Sequence, residues 1–78
     1  MAQIDIKKME RLEKTRNTIH TKVAATYSVF TVNGVKYFQV ETYGKEKRKV
    51  PGISSQSIQL DRESARVIVD LLRHEFDL

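Results

Sequence analysis

The sequence predicts an α+β fold: an antiparallel sheet of three or more twisted strands packed on a C-terminal helix, with a short N-terminal helix. Three observations carry this expectation. Two alternating runs, Lys22 to Val32 and Val35 to Tyr43, meet at Asn33-Gly34. A Pro51-Gly52 step precedes a third alternating run, Ser54 to Leu60. A wide apolar stripe then follows Asp61 and continues almost to the C-terminus.

The N-terminal segment, roughly Ile6 to His20, predicts a helix of modest quality. Ile6, Met9, Leu12 and Ile19 fall near one side, and Glu10 with Lys14 forms an i,i+4 pair. Arg16 interrupts the stripe, and Thr15, Asn17 and Thr18 are poor helix formers, so fraying or ordering on a partner is expected. Residues 1–21 are therefore treated as a basic helical segment and residues 22–78 as one α+β domain.

Asn-Gly is the preferred pair for a two-residue type I′ hairpin turn, because both positions need positive φ. With Asn33 and Gly34 as the loop, Val32 pairs with Val35, Phe30 with Tyr37 and Val29 with Phe38. One face then carries Val23, Ala25, Tyr27, Val29, Phe38 and Val40, which is the candidate core. The other carries Thr26, Ser28, Phe30, Tyr37, Gln39, Glu41 and Tyr43. Gly44 ends the second strand and opens a charged loop closed by Pro51-Gly52, where proline sets φ and glycine supplies a positive one. In the third run Ile58 and Leu60 point inward, while Ser57 and Gln59 point outward.

The final helix has the clearest signals. Asp61 is a natural N-cap, and Glu63 places negative charge in the first turn, where the helix dipole favours it. Ala65, Ile68, Leu72 and Phe76 form one stripe, widened by Val67, Val69 and Leu71. That stripe is broader than one small sheet face requires. A homodimer through the C-terminal helix would use the surplus, and a 78-residue chain without cysteine has no disulfide to support a small core.

Net charge is +4, distributed as +3 over residues 1–22, +3 over residues 23–60 and −2 over residues 61–78. A basic surface of this asymmetry favours a polyanionic partner. The densest cluster is Lys45, Lys47, Arg48 and Lys49, broken only by Glu46. Beside an aromatic sheet face, such a loop can hold phosphates while bases stack on rings. The bland reading is a solvated loop of the kind that also protects sheet edges.

Catalysis has little support. There is no cysteine nucleophile, no glycine-rich phosphate loop and no helical histidine pair. His20 and His74 stand alone, so no metal and no cofactor are expected. The N-terminus lacks the apolar core of a signal peptide, and no apolar run approaches a membrane span. The expectation is a non-enzymatic cytoplasmic protein, with nuclear placement left open by the basic run and no membrane partner.

From Phe30 onward the chain resembles the positive cofactor four family of transcriptional coactivators, which are small single-stranded DNA-binding proteins. The resemblance rests on Phe30 to Tyr43, then Pro51-Gly52, then Ser57-Ile58-Gln59-Leu60-Asp61 leading into the helix. It covers residues 30–76. It implies a twisted antiparallel sheet backed by a helix, dimerised through that helix, with a groove for unpaired nucleic acid. The implied contact residues are Phe30, Lys36, Tyr37, Tyr43 and the Lys45–Lys49 cluster, to which Gln39 is added from its place on the aromatic face. The chain departs from the family pattern at Glu41, where a basic residue is usual, at Ile53-Ser54-Ser55 and at Ser64-Ala65-Arg66.

Single-stranded or unwound DNA, or RNA, is thus the first expected partner. The rival is a protein-interaction or regulatory module, an inhibitor or assembly subunit. It would use the same sheet face, or residues 1–21, to dock on a protein.

Overall fold

The computed structural model describes residues 1–44 and 54–78. The elements are β1 (Ala2–Gln3), a 3-10 turn (Ile6–Lys8), β2 (Ala25–Val32), β3 (Val35–Thr42), β4 (Gln56–Leu60) and α1 (Arg62–Phe76). The four strands form one sheet in the order β1-β4-β3-β2. β2 and β4 both run antiparallel to β3, whereas β1 pairs with β4 in parallel. This is the α+β architecture expected, with one strand more than the sequence pattern specifies.

Asn33 and Gly34 occupy the turn with φ of 51° and 79°. Both values lie in the left-handed region, as a type I′ turn requires, and its twist suits the strands it joins. The register follows directly: Val32 faces Val35, Phe30 faces Tyr37, Ser28 faces Gln39 and Thr26 faces Glu41. β4 then sets Gln59 opposite Gln39, Ser57 opposite Glu41 and Ile58 opposite Val40.

α1 begins with a reciprocal cap. The Ser64 backbone N–H donates to Asp61 Oδ1 at 2.9 Å, and the Asp61 backbone N–H donates to Ser64 Oγ at 3.0 Å. Serine therefore does the work usually given to glutamate in a capping box, and Ser64 is fully buried. Those hydrogen bonds from Ser64 hold the Asp61 carboxyl below the usual carboxylate range. Their contribution is present above that range and fades as pH falls through the lowered value. At the other end Asp77 adopts a left-handed φ of 56°, and the Leu78 N–H donates to the Arg73 carbonyl.

The N-terminal expectation needs correction. Instead of a helix from Ile6 to His20 there is one 3-10 turn, Ile6–Lys8, capped by Asp5, whose Oδ1 accepts from the Lys7 N–H at 3.1 Å. Residues 9–24 form no helix or strand and are exposed throughout. Thr15, Asn17 and Thr18 lower helix propensity, and no buried surface repays the ordering. The segment is tied down at two places. Upstream, the Ile4 N–H donates to the Gln59 carbonyl at 3.0 Å. Further on, Arg11 pairs with Glu13 and reaches Glu75 of α1 at 3.2 Å. The first long strand likewise starts at Ala25, not Lys22, and the third at Gln56, not Ser54. The Pro51-Gly52 turn lies outside the described residues.

α1 lies over the apolar side of the sheet. An open cleft of about 970 Å³ separates Val29, Phe38 and Leu60 from Ala65 and Val69 of the helix. Among the described residues no apolar side chain is fully buried. The chain exposes 7539 Å², where a compact monomer of its mass exposes about 4900 Å². Part of the excess belongs to residues 9–24. The core face adds to it, with Tyr27, Val29 and Ile58 all exposed.

Gly34→Ala should destabilise the hairpin by about 1–2 kcal/mol, the strain of a left-handed Cβ. No atom lies within 4 Å of the added carbon, so the cost is backbone strain without a clash. Gly34→Asn should recover much of the loss, and urea titrations of both variants check this. Ser64→Ala should cost about 1 kcal/mol by removing one half of the cap, seen as a lowered unfolding midpoint at unchanged slope.

Candidate nucleic-acid interface

The face turned away from α1 is built from alternate residues of three strands and one residue of β1. β2 supplies Thr26, Ser28 and Phe30, β3 supplies Tyr37, Gln39 and Glu41, β4 supplies Ser57 and Gln59, and β1 supplies Gln3. Tyr43 continues the same parity just beyond β3.

Near the hairpin tip Phe30 and Tyr37 stack, with ring centroids 5.6 Å apart and planes inclined by 29°. They are a directly opposed cross-strand pair and both are half-buried. Such a pair stabilises a hairpin. A second pair, Tyr27 and Phe38, stacks at 5.3 Å on the opposite face, toward α1.

Below the rings runs a row of amides. Gln3 Nε2 donates to Gln59 Oε1 at 3.4 Å, and Gln59 Nε2 donates to Gln39 Oε1 at 2.7 Å. Gln39 Nε2 donates in turn to Glu41 Oε2 at 2.8 Å. The row crosses β1, β4 and β3 because the register places Gln3, Gln59 and Gln39 side by side. At the far end of the face the Thr26 and Tyr43 hydroxyls lie 3.0 Å apart and share a hydrogen bond.

The expected contact residues therefore separate into three groups. Phe30, Tyr37, Gln39 and Tyr43 share the face. Lys36 does not: it stands opposite Thr31, two residues before Phe38, and so belongs to the helix side of β3. Side chains of period two cannot put Lys36 and Tyr37 on one surface. Lys45, Lys47, Arg48 and Lys49 lie outside the described residues. Gln3 and Gln59 join the face without having been singled out. Outward alternation in the third run marks Gln59. Nothing in the sequence marks Gln3, since a two-residue strand has no period to detect.

No family model, no curated protein and no solved structure matches the chain. No helix among the described residues is long and apolar enough to cross a membrane.

Proposed function

We propose that the protein is a non-enzymatic binder of single-stranded or unwound nucleic acid, acting as a homodimer. The observation that carries the reading is the stacked Phe30–Tyr37 pair adjoining a hydrogen-bonding row on the sheet face that α1 leaves uncovered. Rings accept bases of any sequence, while amides and hydroxyls contact base edges and sugars. The net charge of +4, concentrated before residue 61, supplies the long-range attraction for phosphates. The resemblance to the positive cofactor four family points to the same class of ligand. On this reading Phe30, Tyr37, Gln39 and Tyr43 meet the strand. Lys45, Lys47, Arg48 and Lys49 supply cations from the sequence that follows, and Lys36 contributes only to the overall field.

Burial favours the dimer. Backbone ordering costs about 1–2 kcal/mol per residue, and apolar burial must offset it. Tyr27, Val29, Ile58, Val69 and Leu72 all remain exposed in a single chain. A face needed for folding must be covered whenever the chain is made, and a second copy meets that condition. The cleft rim holds both signs, in Arg62, Arg66 and Asp70, so a two-fold arrangement can set base against acid.

Fluorescence anisotropy with labelled single strands should give micromolar or tighter binding that weakens linearly in log salt. Phe30→Ala and Tyr37→Ala should each lose about 1–3 kcal/mol of affinity while retaining the far-ultraviolet spectrum. Unchanged affinity in both variants refutes the stacking, and no binding at low salt refutes the reading. Sedimentation equilibrium should give twice the chain mass. Val69→Asp, at a side chain 50% exposed in one chain, should dissociate and unfold it. A folded monomer at micromolar concentration refutes the dimer.

A further inference from the structure

We propose that Glu41 makes the polar face selective for guanine within an unpaired strand. The inference rests on the nucleic-acid reading above and adds a base preference that stacking and phosphate contacts lack.

The amide row points one way, each nitrogen donating to the next oxygen until Gln39 donates to Glu41 Oε2. Its last step needs an acceptor, and the carbonyl of a glutamine would serve equally. The charge of Glu41 is therefore surplus to the row. It is also unfavourable on a surface that meets phosphates. Among the described residues the ion pairs are those of Arg11 with Glu13 and Glu75, so Glu41 is matched by no cation there. A half-buried carboxylate kept at such a place calls for a ligand that donates hydrogen bonds.

The second oxygen, Oε1, accepts no hydrogen bond from the described residues, and Oε2 has used one of its two lone pairs. Two parallel donors fit this arrangement. Guanine presents them side by side, N1–H and the 2-amino group, on its Watson–Crick edge. Thymine and uracil offer one N–H between two carbonyl oxygens, which repel a carboxylate. Adenine and cytosine offer one amino group beside an acceptor nitrogen. Unpaired strands expose these edges, whereas duplexes hide them.

Position favours the same contact. Glu41 lies four residues from Tyr37 on one face of β3, about 13 Å along the strand. A strand with one base stacked on Phe30 and Tyr37 passes over Gln39 and carries a base further along it over Glu41. Ser57, opposite Glu41 on β4, is small enough to let it approach, and the Tyr43 hydroxyl beside Thr26 borders the other side.

The test compares oligothymidine with a strand of equal length carrying isolated guanines, in deoxy and ribo forms with uracil for thymine. The guanine strand should bind about tenfold tighter, the scale of one bidentate base contact. Glu41→Gln should abolish the difference while leaving oligothymidine binding equal or tighter. Hypoxanthine in place of guanine removes the 2-amino group and should abolish it with the protein unaltered. That arm stands even where the variant fails to fold. Equal affinities in the wild type, or a preference surviving either change, overturn the assignment and leave the nucleic-acid reading intact. Failure of every strand to bind overturns both.

Discussion

Two backbone angles govern the arrangement of both sheet faces. Asn33 and Gly34, at φ of 51° and 79°, join β2 to β3 with no freedom in register. A slip of one residue in β2 would turn Phe30 toward the helix and bring Val29 to the outer surface, parting Phe30 from Tyr37. β3 is flanked by β2 and β4, so its register passes on to β4 and sets Gln59 against Gln39. The amide row and the aromatic pair are thus consequences of one turn.

The two faces are satisfied differently. The outer face meets most of its hydrogen-bonding needs internally, through Gln3, Gln59, Gln39, Thr26 and Tyr43, and leaves one oxygen of Glu41 open. It can stand in water and exchange those partners for a ligand at modest cost. The inner face has no such remedy, since apolar area is satisfied only by cover. One 15-residue helix shields part of it and leaves Tyr27 and Phe76 largely exposed. A face that must be covered permanently suits an obligate partner, and a face whose polar groups water can satisfy suits a transient one. That division is why the proposed reading puts association on the helix side and ligand binding on the other.

Local interactions were the legible part of the sequence. The hairpin follows from Asn33-Gly34 and strict alternation, residue by residue. α1 follows from Asp61, the apolar stripe and the charges at its ends, although Ser64 as reciprocal cap is seen only in the structure. Non-local contacts were not legible. Two residues of β1 carry no period, and their parallel pairing with β4 joins positions 56 residues apart. The N-terminal helix failed because its apolar spacing had no surface to bury against, and propensity could not hold it alone. The face occupied by Lys36 is a different case: its parity with Phe38 puts it on the helix side, and its basic character obscured that.

The absence of cations from the described part of the outer face has a consequence for how affinity and selectivity divide. Phe30, Tyr37, the glutamines and Glu41 are neutral or negative. On the proposed reading, phosphate attraction falls to other basic residues of the sequence, Lys45, Lys47, Arg48 and Lys49 and those before residue 23. Rim charges act at a distance, are screened by salt and are indifferent to base. Contacts at the centre are short, directional and largely insensitive to salt. A carboxylate there lowers the general attraction for any polyanion and favours the one base edge that can satisfy it. On that reading the carboxylate trades affinity for discrimination, and the net charge of +4 offsets the loss.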